Sequence, residues 1–154
     1  MDTTYIGIDP GRKGGLVWHS TGWTIDPMPQ IPQVLAHSIV NMPPQDTRVF
    51  VCVEAPLMIS PGKKAIAIAH QQVGWVQGIC AAKKIPLIIA PPKEWKKTIL
   101  AGLPYVKNKM ASVEYIQGRF PEVELPTKKG FRDGAADAMC LALYGKLIDQ
   151  GSEK

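Results

Sequence analysis

Thr4-Tyr5-Ile6-Gly7-Ile8-Asp9 is an apolar-rich run that stops on an acid, and Pro10-Gly11-Arg12-Lys13-Gly14-Gly15 follows it. The first stretch reads as a β-strand and the second as a turn, since proline and clustered glycines interrupt a ladder. Leu16 to His19 and Trp23 to Asp26 read as two further short strands, parted by Ser20-Thr21-Gly22. A β-meander therefore opens the chain, and its first strand carries Asp9 at its end.

Working outward, Ile31 to Met42 has the pattern of an amphipathic helix closed by Pro43-Pro44. Arg48-Val49-Phe50-Val51-Cys52-Val53 is almost continuously apolar, as in a strand buried on both faces. It also ends on an acid, Glu54, and Pro56 blocks its extension. A loop at Ser60-Pro61-Gly62-Lys63 leads into a long helix, Lys64 to Lys84, on which Ala67, Gln71, Gly74, Gly78 and Ala81 share one face. Ile85 to Ala90 reads as another buried strand, and Pro91-Pro92 start a helix over Lys93 to Leu100. A basic helix is expected from about Lys107 to Phe120, with Met110, Val113, Ile116 and Phe120 facing inward. After a basic loop, Lys128-Lys129-Gly130, the last helix is expected over about Asp133 to Ile148. Without repeats, low-complexity tracts or a linker, the chain reads as one α/β domain over residues 1–154, with a five-stranded mixed sheet flanked by helices.

Two distant strands that each end on a carboxylate bring Asp9 and Glu54 together if they are neighbours in the sheet. Asp133 and Asp137, four apart, fall on one helical face among Gly134, Ala135, Ala136 and Ala138, whose small side chains let that helix sit close to a sheet. Each acid also has a plain structural reading. Asp9 suits a turn, Glu54 a solvated strand end, Asp133 a helix N-cap, and Asp137 the first turn of a helix. Taken jointly, four clustered carboxylates repel one another and call for cations. An all-oxygen donor set suits Mg²⁺, with Mn²⁺ able to substitute. Two such ions per site, about 3.5–4 Å apart, can activate a water and stabilise the leaving oxygen of a phosphodiester.

The net charge of +5 favours a polyanionic partner. Between residues 93 and 132 nine basic side chains face four acidic ones, an excess equal to that of the whole chain. Arg12, Lys13, Lys63, Lys64, Lys96, Lys97, Lys107 and Lys109 are the candidate DNA contacts; solvated charges explain Arg12, Lys13, Lys63 and Lys64 equally well, and on the residues alone they explain Lys96 and Lys109 better. Trp95 among lysines fits either a core anchor or an aromatic nucleic-acid contact. Cys52, Cys80 and Cys140 lack zinc or disulfide spacing and read as reduced core thiols. With no apolar run long enough for a membrane span and no leader-like N-terminus, a cytoplasmic protein is expected.

Ile6-Gly7-Ile8-Asp9-Pro10-Gly11, Val51-Cys52-Val53-Glu54-Ala55-Pro56 and Asp133-Gly134-Ala135-Ala136-Asp137-Ala138 resemble, in order, the acidic motifs of RuvC-type Holliday junction resolvases. Lys93-Glu94-Trp95-Lys96-Lys97-Thr98 and Lys107-Asn108-Lys109 resemble the places where that family carries lysines near the scissile phosphate. The resemblance spans about residues 4–148. It implies an RNase H-like fold, Asp9, Glu54, Asp133 and Asp137 as metal ligands and catalytic acids, and Lys109 as a catalytic cation. It further implies a homodimer joined through the helix 64–84 and paired symmetric nicks in a four-way DNA junction. Two features depart from the family pattern: the last two acids are four apart rather than three, and Leu57-Met58 stand where an aromatic residue is usual. Other readings are a nuclease for flaps, branched RNA or RNA–DNA hybrid, and a non-catalytic DNA-binding relative. An actin-like ATPase would need two domains and far more chain.

Overall fold

The computed structural model describes residues 1–57, 63–102 and 110–152. Strands β1 (Thr3–Asp9), β2 (Gly15–His19) and β3 (Trp23–Pro27) form the opening antiparallel meander. β4 (Arg48–Glu54) lies parallel to β1, and β5 (Leu87–Ala90) parallel to β4, giving the order β3-β2-β1-β4-β5. The expected five-stranded mixed sheet is present. Its helices are α1 (Pro32–Val40), α2 (Lys63–Lys83), α3 (Pro92–Ile99), α4 (Ala111–Arg119) and α5 (Lys129–Ser152). No helix among the described residues is long and apolar enough to cross a membrane.

Side-chain alternation divides the core into two layers. Ile6, Ile8, Leu16, Trp18, Val51 and Val53 pack with Leu35 and Ile39 of α1 and Val73, Val76 and Cys80 of α2. Tyr5, Val17, Phe50 and Cys52 point the other way, toward α3, α4 and α5. Both faces of the sheet are thus covered, which explains the unbroken apolar run of β4. All three cysteines are free and buried.

Several boundaries differ from the sequence expectation, and three of them bear on the site and its surroundings. β5 starts at Leu87 because Ile85 still donates its amide to Cys80 in the closing turn of α2, and Pro86 has no amide to give. The helix expected from Lys107 is described only from Ala111, and Lys107 and Lys109 lie outside the described residues. The loop expected at Lys128-Lys129-Gly130 is instead the start of α5, with the Arg132 amide bonded to the Lys128 carbonyl at 2.8 Å. Asp133 is therefore one turn inside the helix and is not its N-cap. Tertiary contact overrides the poor helical propensity of Gly130 and Gly134 here: the first lies against the Lys13 side chain, the second against the Lys13-Gly14 backbone.

That contact belongs to a longer seam. A β-carbon at Gly7 would overlap the carbonyl oxygen of Ala138 and crowd the amide of Ala142, and one at Gly15 would press on Gly134 and Ala135. Ala135, Ala136, Ala138 and Ala142 are fully buried along the same helix. Backbone thus packs on backbone where α5 crosses β1 and β2. At the far end of α5, buried Asp149 accepts both guanidinium donors of Arg48, at 2.8 and 2.9 Å, and the Tyr5 hydroxyl at 2.8 Å. Those bonds hold the Asp149 carboxyl below its ordinary pKa, while burial and then Asp149 push the Tyr5 hydroxyl up to about 12. Gly7→Ala should destabilise the protein by roughly 3 kcal/mol or more in urea unfolding, because the added atom meets backbone that has no room to yield. Gly118→Ala, on an open face of α4, should instead stabilise by about 0.5–1 kcal/mol. A near-neutral Gly7→Ala would contradict the seam.

Candidate active site

The parallel register pairs Ile8 with Val53, so the residues that follow, Asp9 and Glu54, emerge side by side at one edge of the sheet. Glu54 is in turn opposite Ala90, which places the start of α3 at the same edge. The seam delivers Asp137, since Ala135, Ala136 and Ala138 around it are the residues pressed to the sheet. Asp9, Glu54 and Asp137 are each half-buried there.

Electrostatics shows how tightly they are gathered. Asp9 is held well above its ordinary pKa by burial first, then by Glu54 and Asp137, with Lys96 pulling the other way. Glu54 is pushed up to about 7, mainly by burial; Asp137 adds to this, while a Trp95 hydrogen bond and Lys96 oppose it. Asp137 is raised by burial, opposed by the Ser112 hydroxyl and Lys96, and raised further by Asp133. Lys96 thus faces three carboxylates at once, with its ammonium 5.5 Å from the centre of the Trp95 ring.

Asp133 stands one turn before Asp137, its side chain about a third exposed, and bonds the Arg132 guanidinium at 3.1 Å. Four residues rather than three separate it from Asp137, and the packing gives a physical reason. The next position, Gly134, packs on the backbone of Lys13 and Gly14, so no acid could be carried there.

Arg12, Lys13 and Lys64 line a cleft of about 590 Å³ together with Asp9, Gly11 and Ile68. Lys63 and Lys97 are exposed nearby in sequence. Leu57 is exposed, and Met58, Lys107 and Lys109 fall outside the described residues.

Several contributors were not assigned to the site from sequence. Trp95 is fully buried, as a core anchor should be, yet its indole N–H donates to Glu54 at 2.7 Å. One residue thereby anchors α3 and orients a carboxylate. A hint existed in the chain order, because a helix that starts directly after β5 must begin beside the end of β4. Ser112, buried on α4, hydrogen-bonds Asp137, and no local pattern marks it.

Oxygen-only donors that are buried and also repel one another fit a hard divalent cation, which would stabilise the charged forms that burial first, and repulsion second, disfavour. Among the described residues, however, no three His, Cys, Asp or Glu side chains close on a single point. Trp95, Ser112 and Arg132 hold Glu54, Asp137 and Asp133 individually. The carboxylates are gathered but not drawn into a cage, so metal entry would involve rotation of side chains rather than movement of the fold.

The raised carboxyls give a pH signature. The folded chain keeps a proton on Glu54 up to about pH 7, whereas the unfolded chain releases it near 4.5. Metal-free stability should therefore fall as pH rises through that window, by on the order of 1–3 kcal/mol. His19, whose pKa burial lowers, acts in the opposite sense, so the comparison is parent against Glu54→Gln in chelator. The parent should lose more stability between about pH 5 and 8 than the variant, and Mg²⁺ should remove the difference. Equal slopes would contradict the clustering.

No family model and no curated protein matches the chain by sequence. Solved structures do match it. Thermus thermophilus RuvC in complex with a Holliday junction substrate aligns over 96% of this chain and 96% of its own, with a TM-score of 0.61 at 17% identity. A second structure of Thermus thermophilus RuvC aligns over 96% and 97%, with a TM-score of 0.59 at 18% identity. At that identity the likeness concerns architecture: the chain has the RNase H-like, mixed-sheet fold of RuvC.

Proposed function

We propose that the chain is a Mg²⁺-dependent endodeoxyribonuclease that resolves four-way DNA junctions by paired symmetric nicks. The observation that carries this reading is the convergence of Asp9, Glu54 and Asp137, from three separate elements, at one sheet edge of a fold shared with a RuvC bound to such a junction. Asp133 extends the acidic set by one turn of α5.

Asp9, Glu54, Asp137 and Asp133 would hold the divalent metal, which when bound would supply Lewis acidity for hydrolysis of a phosphodiester. The remaining chemistry belongs to the chain. Trp95 and Ser112 each hydrogen-bond one carboxylate, which limits how far Glu54 and Asp137 have to turn to meet metal. Lys96 balances part of the negative charge and would meet a phosphate oxygen of the bound DNA. Arg12, Lys13 and Lys64 flank Asp9 and would grip the backbone on either side, an attraction that weakens with salt as counterions are released. Lys63, Lys97, Lys107 and Lys109 would extend the basic track, with Lys109 a further catalytic cation.

A second copy of the chain is proposed to dock on α2. Ala67, Gln71, Gly74, Gly78 and Ala81 are all exposed, and nothing lies within 4 Å of a β-carbon built at Gly74 or Gly78. Two sites on a symmetric dimer match the two nicks of a symmetric junction. Gly78→Trp should shift the protein from dimer to monomer in sedimentation, leaving the fold intact. A monomeric parent would sink this part of the reading.

For the activity, Mg²⁺-dependent cutting of a synthetic four-way junction is expected, with flap, linear duplex and RNA–DNA hybrid compared side by side. Asp9→Asn or Glu54→Gln should lower the rate by roughly a hundredfold or more while junction binding persists. Equal cutting of linear duplex, or activity that survives both substitutions, would overturn the proposal.

A further inference from the structure

Gln72, on α2, is 1% exposed and is the largest polar side chain buried among the described residues. A buried amide is costly unless its atoms are paired. Here both ends are used. Oε1 accepts the backbone amide of Gly11 at 2.6 Å, and Nε2 donates to Oε1 of Gln30 at 3.1 Å. Gln30 then turns its own Nε2 to the Gly11 carbonyl at 3.0 Å and the Met28 carbonyl at 2.8 Å.

The pattern of donors and acceptors allows one orientation of both amides. Gly11 offers an N–H, so Gln72 must present oxygen to it; its nitrogen must then meet an oxygen of Gln30, leaving the Gln30 nitrogen for two carbonyls. Gly11 is thus gripped at both its amide and its carbonyl. It has φ +120°, in the region that favours glycine, and stands two residues beyond Asp9.

Closing the turn does not require this clasp, because the Gly14 amide already bonds the Gly11 carbonyl at 3.3 Å. Nor does packing, since Val73 and Val76 beside Gln72 belong to an apolar layer that a leucine would suit better. What two paired glutamines add is position, because a fully satisfied buried network specifies one arrangement.

We infer that Gln72, seconded by Gln30, is a positioning residue that ties α2 to the Pro10-Gly11 turn and so sets where Asp9 presents its carboxylate. It touches neither substrate nor metal. This inference rests on the reading of Asp9 as a metal ligand.

The test compares Gln72→Leu with Val73→Ala, a purely structural perturbation one residue away. Hydrogen exchange at the Gly11 amide is followed by NMR, and Mn²⁺ binding to the DNA-free protein by electron paramagnetic resonance. Gln72→Leu should speed Gly11 exchange and weaken Mn²⁺ binding, each by roughly ten- to a hundredfold, with little change in melting temperature. Val73→Ala should lower the melting temperature and leave Mn²⁺ affinity in place. If Gln72→Leu does not fold, Gln30→Leu, at an exposed position, should produce the same two shifts. Gly11 exchange and Mn²⁺ affinity within twofold of the parent would overturn the inference. A parent that binds Mn²⁺ but cuts no branched DNA would remove the proposed activity and leave the clasp standing.

Discussion

The structure depends on one close approach, that of the α5 backbone to β1 and β2. Glycine at 7, 15 and 134 and alanine at 135, 138 and 142 remove the side-chain layer that normally separates a helix from a sheet. Without that approach, Asp137 would stand too far from Asp9 and Glu54 for their pKa values to interact. The same small residues leave little apolar surface at the seam itself, so cohesion comes from the larger side chains around it. Tyr5, Phe50, Met139 and Leu141 supply it on this face of the sheet.

Placing three acids at one edge opposes folding, and the chain offsets this locally. Lys96 faces all three, Trp95 donates to Glu54, and Ser112 donates to Asp137. These donors come from α3 and α4, the two shorter helices of that layer. Both are needed to orient the carboxylates, although neither carries one of them.

Much of the architecture was legible because strands and their ends have local signatures. The apolar runs ending on Asp9 and Glu54 stated both the strands and their exits, and parallel pairing then put the two acids side by side. The spacing of Asp133 and Asp137 located the acidic face of α5, but its start was misplaced by four residues because Gly130 read as part of a loop, and nothing local to Gly130 or Gly134 states what each packs against. Their partners, Lys13 and Gly14, are more than a hundred positions away. Ser112 and Gln72 were illegible for the same reason: a polar residue inside a helix states nothing about the element it will meet. Trp95 showed its burial and concealed its hydrogen bond.

The two attachments of α5 make it a ruler. One end is gauged against the β1–β2 turn by Gly134, the other against Tyr5 and Arg48 by Asp149, and Asp137 lies between fixed marks. From Asp137 to Asp149 is a rise of about 18 Å at 1.5 Å per residue. Exchanging one residue for another on the part of this span that faces away from the sheet alters only what surrounds it. Inserting or deleting one would swing every later position by about 100° and break one attachment or the other. Away from the seam, then, the length of α5 is under tighter constraint than its composition.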